Sequence, residues 1–144
     1  MCKELRMVKP FPGMVIKESV TFMPGEYHFP EGNGITIAAA NIVIDGSGAR
    51  LIGPGSTAEG KESFRGTGVF SEGTSGCTIK NLTVRGFRRG IHLRKAANWT
   101  IVNNDLSYNY HDPDFGWGDG PTYGGLLCEY VTDSLIAGNV GREN

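Results

Sequence analysis

One short phrase returns along this chain, and it constrains the fold more than any other feature. It reads Thr78-Ile79-Lys80-Asn81-Leu82-Thr83-Val84, then Thr100-Ile101-Val102-Asn103-Asn104-Asp105-Leu106, then Leu135-Ile136-Ala137-Gly138-Asn139. Ile79 and Ile101 are 22 residues apart; Ile101 and Ile136 are 35 apart. A looser copy, Ile42-Val43-Ile44-Asp45-Gly46, places Ile44 another 35 residues before Ile79. Short apolar triplets punctuated by Gly and Asn, at a period near 22, are the pattern of stacked coils in a β-solenoid.

A second phrase keeps the same period. Gly34-Ile35-Thr36-Ile37, Gly68-Val69-Phe70-Ser71, Gly90-Ile91-His92-Leu93 and Gly125-Leu126-Leu127-Cys128 recur at spacings of 34, 22 and 35. In each, a glycine precedes alternating inward and outward positions. The two phrases interleave, so each coil holds at least two strands. The residues around Ala49, Val84 and Leu106 supply a third. The fold class is therefore all-β: a single-stranded parallel β-helix, about 22 residues per coil, with neighbouring coils about 4.8 Å apart.

These phrases resemble the right-handed parallel β-helix superfamily, which includes the pectate-lyase-like solenoids and the NosD-type repeat proteins. The resemblance is carried by residues 68–87, by 90–109, and by an opening stretch, 23–55, with a P-G-x-Y turn, a strand and an I-D-G-x-G-A motif. It covers about residues 20–144, and it implies a right-handed coil and a carbohydrate-active protein located outside the cell or in the periplasm. Residues 1–22 read as a lead-in and 23–144 as the β-helix domain. The last residues, Gly138-Asn139-Val140-Gly141-Arg142-Glu143-Asn144, fall in mid-coil with no capping element. An N-terminal fragment of a longer solenoid is expected, or end-to-end self-association through the last coil.

Composition narrows the function classes. Twenty-two glycines among 144 residues suit a chain with many tight turns. A formal net charge of −1 gives no electrostatic footprint for nucleic acid. No apolar run reaches the length of a membrane helix. The N-terminus, Met1-Cys2-Lys3-Glu4-Leu5-Arg6, has no apolar signal core. Cys2, Cys77 and Cys128 lack metal-ligand spacing, and Cys128 falls on the inward column of Leu93, so it reads as a buried thiol. Asn98-Trp99-Thr100 matches a glycosylation acceptor but begins a strand, and it is set aside.

The inward columns can be written out. They are Ile35, Val69, Ile91 and Leu126; Ile37, Ser71, Leu93 and Cys128; Ile44, Ile79, Ile101 and Ile136; and Ala49, Val84 and Leu106. Asn104 and Asn139 share one coil position, where stacked amides bridge coils in asparagine ladders of the superfamily.

Function is sought where the period breaks. Two coils carry extra segments, residues 53–65 and 110–123, and both leave the cylinder just before a Gly-led strand. Between them lies a short turn, Gly86-Phe87-Arg88-Arg89. Two projecting loops flanking a short turn make a groove, and loops on a rigid scaffold carry binding chemistry. Its floor is the outward face of the Gly-led strands: Thr36, Phe70, His92 and Leu127 in one column, then Glu72, Arg94 and Glu129, with Arg94 between two carboxylates. One reading is a surface salt-bridge ladder. The other is an acidic-polysaccharide groove with His92, Arg94 and Asp112 as catalytic groups. Arg88, Arg89, Trp117, Tyr123 and Glu129 would then bind substrate. No residue matches the catalytic motif of the pectate-lyase-like enzymes, so none of their roles is carried over.

The second insertion gathers Asp112, Asp114 and Asp119 among four aromatic residues and three glycines. Oxygen clusters of this kind suit a hard cation, so Ca²⁺ is the candidate cofactor, although the spacing is not that of an EF-hand. The same carboxylates would serve a glycosidase. Binding or cleavage of an acidic polysaccharide, by lyase or hydrolase chemistry, is the leading expectation. A non-catalytic β-helix scaffold or binding module of a larger secreted protein is its competitor.

Overall fold

The computed structural model describes residues 6–110, 123–142 and 144. The described chain forms fourteen short strands in three parallel sheets. The six-stranded sheet holds β1 (Arg6–Val8), β3 (Val20–Phe22), β6 (Val43–Asp45), β9 (Thr78–Lys80), β12 (Thr100–Val102) and β14 (Leu135–Ala137) in that order. The five-stranded sheet stacks β2 (Val15–Ile16), β5 (Asn33–Ile37), β8 (Thr67–Glu72), β11 (Arg89–Ala97) and β13 (Gly124–Thr132). The three-stranded sheet holds β4 (Glu26–His28), β7 (Arg50–Ile52) and β10 (Thr83–Arg85). The chain visits the three sheets in turn, and each visit lays a strand on its predecessor. Winding begins earlier than the lead-in expectation suggests, because β1 pairs with β3, and β3 with β6.

The pairing register reproduces the sequence columns. Ile44 faces Ile79, Ile79 faces Ile101, and Ile101 faces Ile136. Ile35, Val69, Ile91 and Leu126 align in the same way. Side chains alternate along each strand, so these columns fill the cylinder, together with Trp99, Phe22, Phe29 and Phe87. One column needs correction. Val84 pairs with Leu51, not with Ala49. The Gly46-Ser47-Gly48 turn carries two residues more than the corresponding turns of later coils, which shifts the strand along. Ala49 is still buried, inside that turn.

Backbone crowding explains the Gly-led phrase. A Cβ at Gly34 would overlap the carbonyl of Gly68, one at Gly68 the Val84 side chain, and one at Gly90 the carbonyl of Gly125. Successive coils approach closely here, and only a residue without a side chain fits.

Buried amides tie the coils together at two turns. The Asn104 amide donates to Ile79 O at 3.1 Å and to Asn139 Oδ1 at 3.0 Å, while its own Oδ1 accepts from Leu82 N at 3.0 Å. The expected asparagine stack is thus present. A second stack was not foreseen. Asn109 donates to Val84 O at 2.9 Å and accepts from Phe87 N at 3.2 Å, and its own N–H donates to Asn144 Oδ1 at 2.9 Å. Each amide satisfies backbone groups that a tight turn leaves without a sheet partner.

Among the described residues, burial falls from the middle of the stack toward its outermost strands. Ile101 is fully buried, whereas Ile136 in the same column is 47% exposed. Cys128 follows the same rule. Its register on the inward column is as expected, but it is exposed, β13 being the outermost strand of its sheet among the described residues. At the opposite end Met7, Phe11 and Val15 are exposed.

Candidate functional site

The outward face of the five-stranded sheet carries the expected columns. Thr36, Phe70, His92 and Leu127 align across four strands, and Glu72, Arg94 and Glu129 across three. Arg94 lies between the two carboxylates in register, as expected, but its side chain pairs with only one of them. Arg94 Nη1 donates to Glu72 at 2.9 Å, while Glu129 turns to His92, its Oε1 2.5 Å from Nε2. The imidazole also packs against the Phe70 ring, with centroids 5.2 Å apart. Wedged between ring and carboxylate, the His92 side chain is only 13% exposed. One ring nitrogen is therefore fixed by Glu129, which orients the imidazole.

At the foot of these strands lies the short turn. Phe87 is buried there and meets Phe29 edge-on at 5.9 Å. Beside that anchor Arg88 and Arg89 are half-buried, the Arg88 Nε fully so, and both guanidinium groups lie over the Tyr123 ring, at 5.0 and 4.9 Å. Tyr123 meets Tyr110 at 4.8 Å, and Tyr110 meets Phe64 at 6.0 Å. Phe64 closes the first insertion, and Tyr110 and Tyr123 are the two ends of the second. An aromatic chain thus joins both insertions to the arginine turn.

The first insertion is ordered by its own turns. Two 3-10 segments, Thr57–Glu59 and Lys61–Ser63, are held by the Ser56 hydroxyl on Glu59 N and the Ser63 hydroxyl on Gly60 O. Between it and the three-stranded sheet opens a cleft of about 470 Å³, lined by Ile52, Thr57, Phe64, Arg85 and Tyr108 among others. None of these lining residues belongs to the five-stranded sheet that carries His92. Sequence reading missed Arg85 and Tyr108. Their only signal was the outward parity of Arg85 beside Val84 and the placement of Tyr108 in a turn.

A family model described as a right handed beta helix region matches residues 28–144. The chain belongs to the right-handed β-helix family. No curated protein and no solved structure matches it. The strands of residues 6–22 precede the matched region yet extend two sheets of the same β-helix.

Within this β-helix, the structure brings together His92 with Glu129, Arg94 with Glu72, and Arg88 and Arg89 with Tyr123. Asp112, Asp114, Trp117 and Asp119 lie outside the described residues. Among the described residues no group of three or more His, Cys, Asp or Glu side chains is arranged to hold a metal ion. No helix among them is long and apolar enough to cross a membrane.

Proposed function

We propose that this β-helix protein is carbohydrate-active and binds an acidic polysaccharide along the outward face of its five-stranded sheet, beside the two insertions. The observation that carries this reading is the arginine pair over Tyr123 at the foot of the His92 strand. Guanidinium groups recognise carboxylates by paired hydrogen bonds, and an aromatic face suits the apolar side of a sugar ring. His92 lies three residues along the strand from Arg89, about 10 Å, which places an oriented imidazole within the span of one bound chain. Lyase or hydrolase chemistry is the catalytic form of this reading. His92 moves a proton, Glu129 positions it, and Arg94 and Asp112 complete the group. Ca²⁺ on Asp112, Asp114 and Asp119 is its metal component, and an extracellular or periplasmic location its setting.

A second reading has its own observation. Arg94 with Glu72, and His92 with Glu129, neutralise each other across coils, as a surface ladder on an inert scaffold does. One experiment separates the two. Polygalacturonate binding, release of unsaturated products and release of reducing ends are measured for the protein, His92→Ala and Arg94→Ala. Loss of binding or turnover in both variants, with the folded state retained by circular dichroism, supports the groove. Full binding in both, or none in any form across acidic glycans, leaves the scaffold.

A further inference from the structure

We propose that the cleft between the first insertion and the three-stranded sheet is a second binding site, for a sugar acid. Arg85 takes the carboxylate and Tyr108 lies against the ring.

Three observations converge on this cleft. The first is its size and construction. A volume of about 470 Å³ falls within the range of about 300–1,000 Å³ typical of small-molecule sites. Its wall is stapled to the cylinder by backbone bonds: Gly55 N to Gly86 O at 2.7 Å, and Gly86 N to Tyr108 O at 2.9 Å. It is therefore preformed, and binding loses little freedom there.

The second is charge. Ile52 lies on the outward column between His28 and Arg85, and Glu26 stands beside them. Glu26 is the carboxylate facing two guanidinium groups, Arg50 at 3.6 Å and Arg85 at 3.9 Å, and the His28 imidazole at 3.8 Å. One carboxylate at those distances does not saturate two guanidinium groups, each with several donors. Arg85, at the cleft, retains donors for an anion.

The third is the mixture of surfaces. Tyr108 is 47% exposed and lies in the left-handed backbone region, with φ 61°. Bulky side chains seldom adopt that conformation, and it persists where the surrounding structure fixes it. Here the bonds from Gly86 N and to Arg142 O fix it. Tyr108 and Ile52 offer apolar area, Thr57 a hydroxyl, and Arg85 a cation. A pyranose carrying a carboxylate presents the complementary set: an apolar ring face, hydroxyls and one negative charge. The site is distinct from the five-stranded sheet, to which none of its residues belongs, although Phe64 links it through Tyr110 to the arginine turn.

Amide chemical shifts of Ile52, Thr57 and Tyr108 report the site directly. They are followed while trigalacturonate, its methyl ester or inorganic phosphate is titrated into the protein, Arg85→Gln, Tyr108→Asn and His92→Ala. Tyr108→Asn removes the ring and keeps a residue suited to the left-handed backbone. Saturable shifts are expected with trigalacturonate, weakened about tenfold or more in Arg85→Gln, weakened severalfold in Tyr108→Asn, and unchanged in His92→Ala. Affinity unchanged in both Arg85→Gln and Tyr108→Asn overturns the proposal. So does a methyl ester that binds as well as the acid, phosphate that binds as tightly as the trimer, or the absence of any shift. Loss in His92→Ala with retention in Arg85→Gln overturns this site while upholding the five-stranded one.

Discussion

Asn104 donates its side-chain amide to Oδ1 of Asn139 on the following coil, at 3.0 Å. The same amide donates to Ile79 O, and its oxygen accepts from Leu82 N, so one buried side chain serves three coils. Replacing it by Ala leaves several buried polar groups without partners. Asn104→Ala is expected to cost about 2–4 kcal/mol. Asn104→Asp removes the donor and buries a charge, and should cost at least as much. Urea unfolding followed by circular dichroism measures both. A cost within error of a surface substitution would mean that the amides are incidental to stability.

The glycine column gives a second expectation. A Cβ at Gly90 meets the Gly125 carbonyl and the Asn109 amide, both held by their own coils. Gly90→Ala is therefore expected to destabilise by about 1–3 kcal/mol. At Gly48, where an added Cβ meets nothing within 4 Å, the cost is the left-handed backbone alone. Melting curves of the two variants should differ in that order, and equal shifts would contradict close coil contact at Gly90.

The thiols should separate by access and by pH. Burial raises the pKa of Cys77 above the ordinary 9.0. A raised thiol pKa means less thiolate at any pH below it, so alkylation of Cys77 should be slow at neutrality and accelerate above pH 9. By linkage, the same shift stabilises the fold below the ordinary thiol pKa, and that contribution is lost as pH rises through the folded value. Cys128 is exposed and Cys77 buried. Peptide mapping after iodoacetamide treatment should find Cys128 modified before Cys77, and Cys77 only after unfolding. Equal rates would place Cys128 beneath cover.

The ends of the cylinder carry the expectation of self-association. Leu135, Ile136 and Val140 are exposed at one end, and Met7, Phe11 and Val15 at the other. Exposed apolar side chains on two different outermost strands suit head-to-tail contact between copies of this 144-residue chain, a contact that does not close on itself. Sedimentation velocity should show association that grows with concentration and is reduced by Ile136→Glu. A species that stays monomeric at every concentration would count against it.

The two phrases determined the coil, the pairing of Ile44, Ile79, Ile101 and Ile136, and the amide stack at Asn104, because a parallel stack repeats one environment in each turn. The same regularity showed where residues 53–65 leave the cylinder. What the sequence could not fix were relations that depend on turn length and on neighbours outside the repeat. Ala49 gave way to Leu51 as the partner of Val84 because two extra residues in one turn shift the register. Cys128 occupies an inward position yet is exposed, since burial requires a coil above as well as a column. Glu129 chose His92 over Arg94 because side chains on a twisted sheet reach diagonally. The cleft of Ile52, Arg85 and Tyr108 became visible only in three dimensions. Its walls come from three separate coils, and only the packing of the first insertion against them encloses a volume.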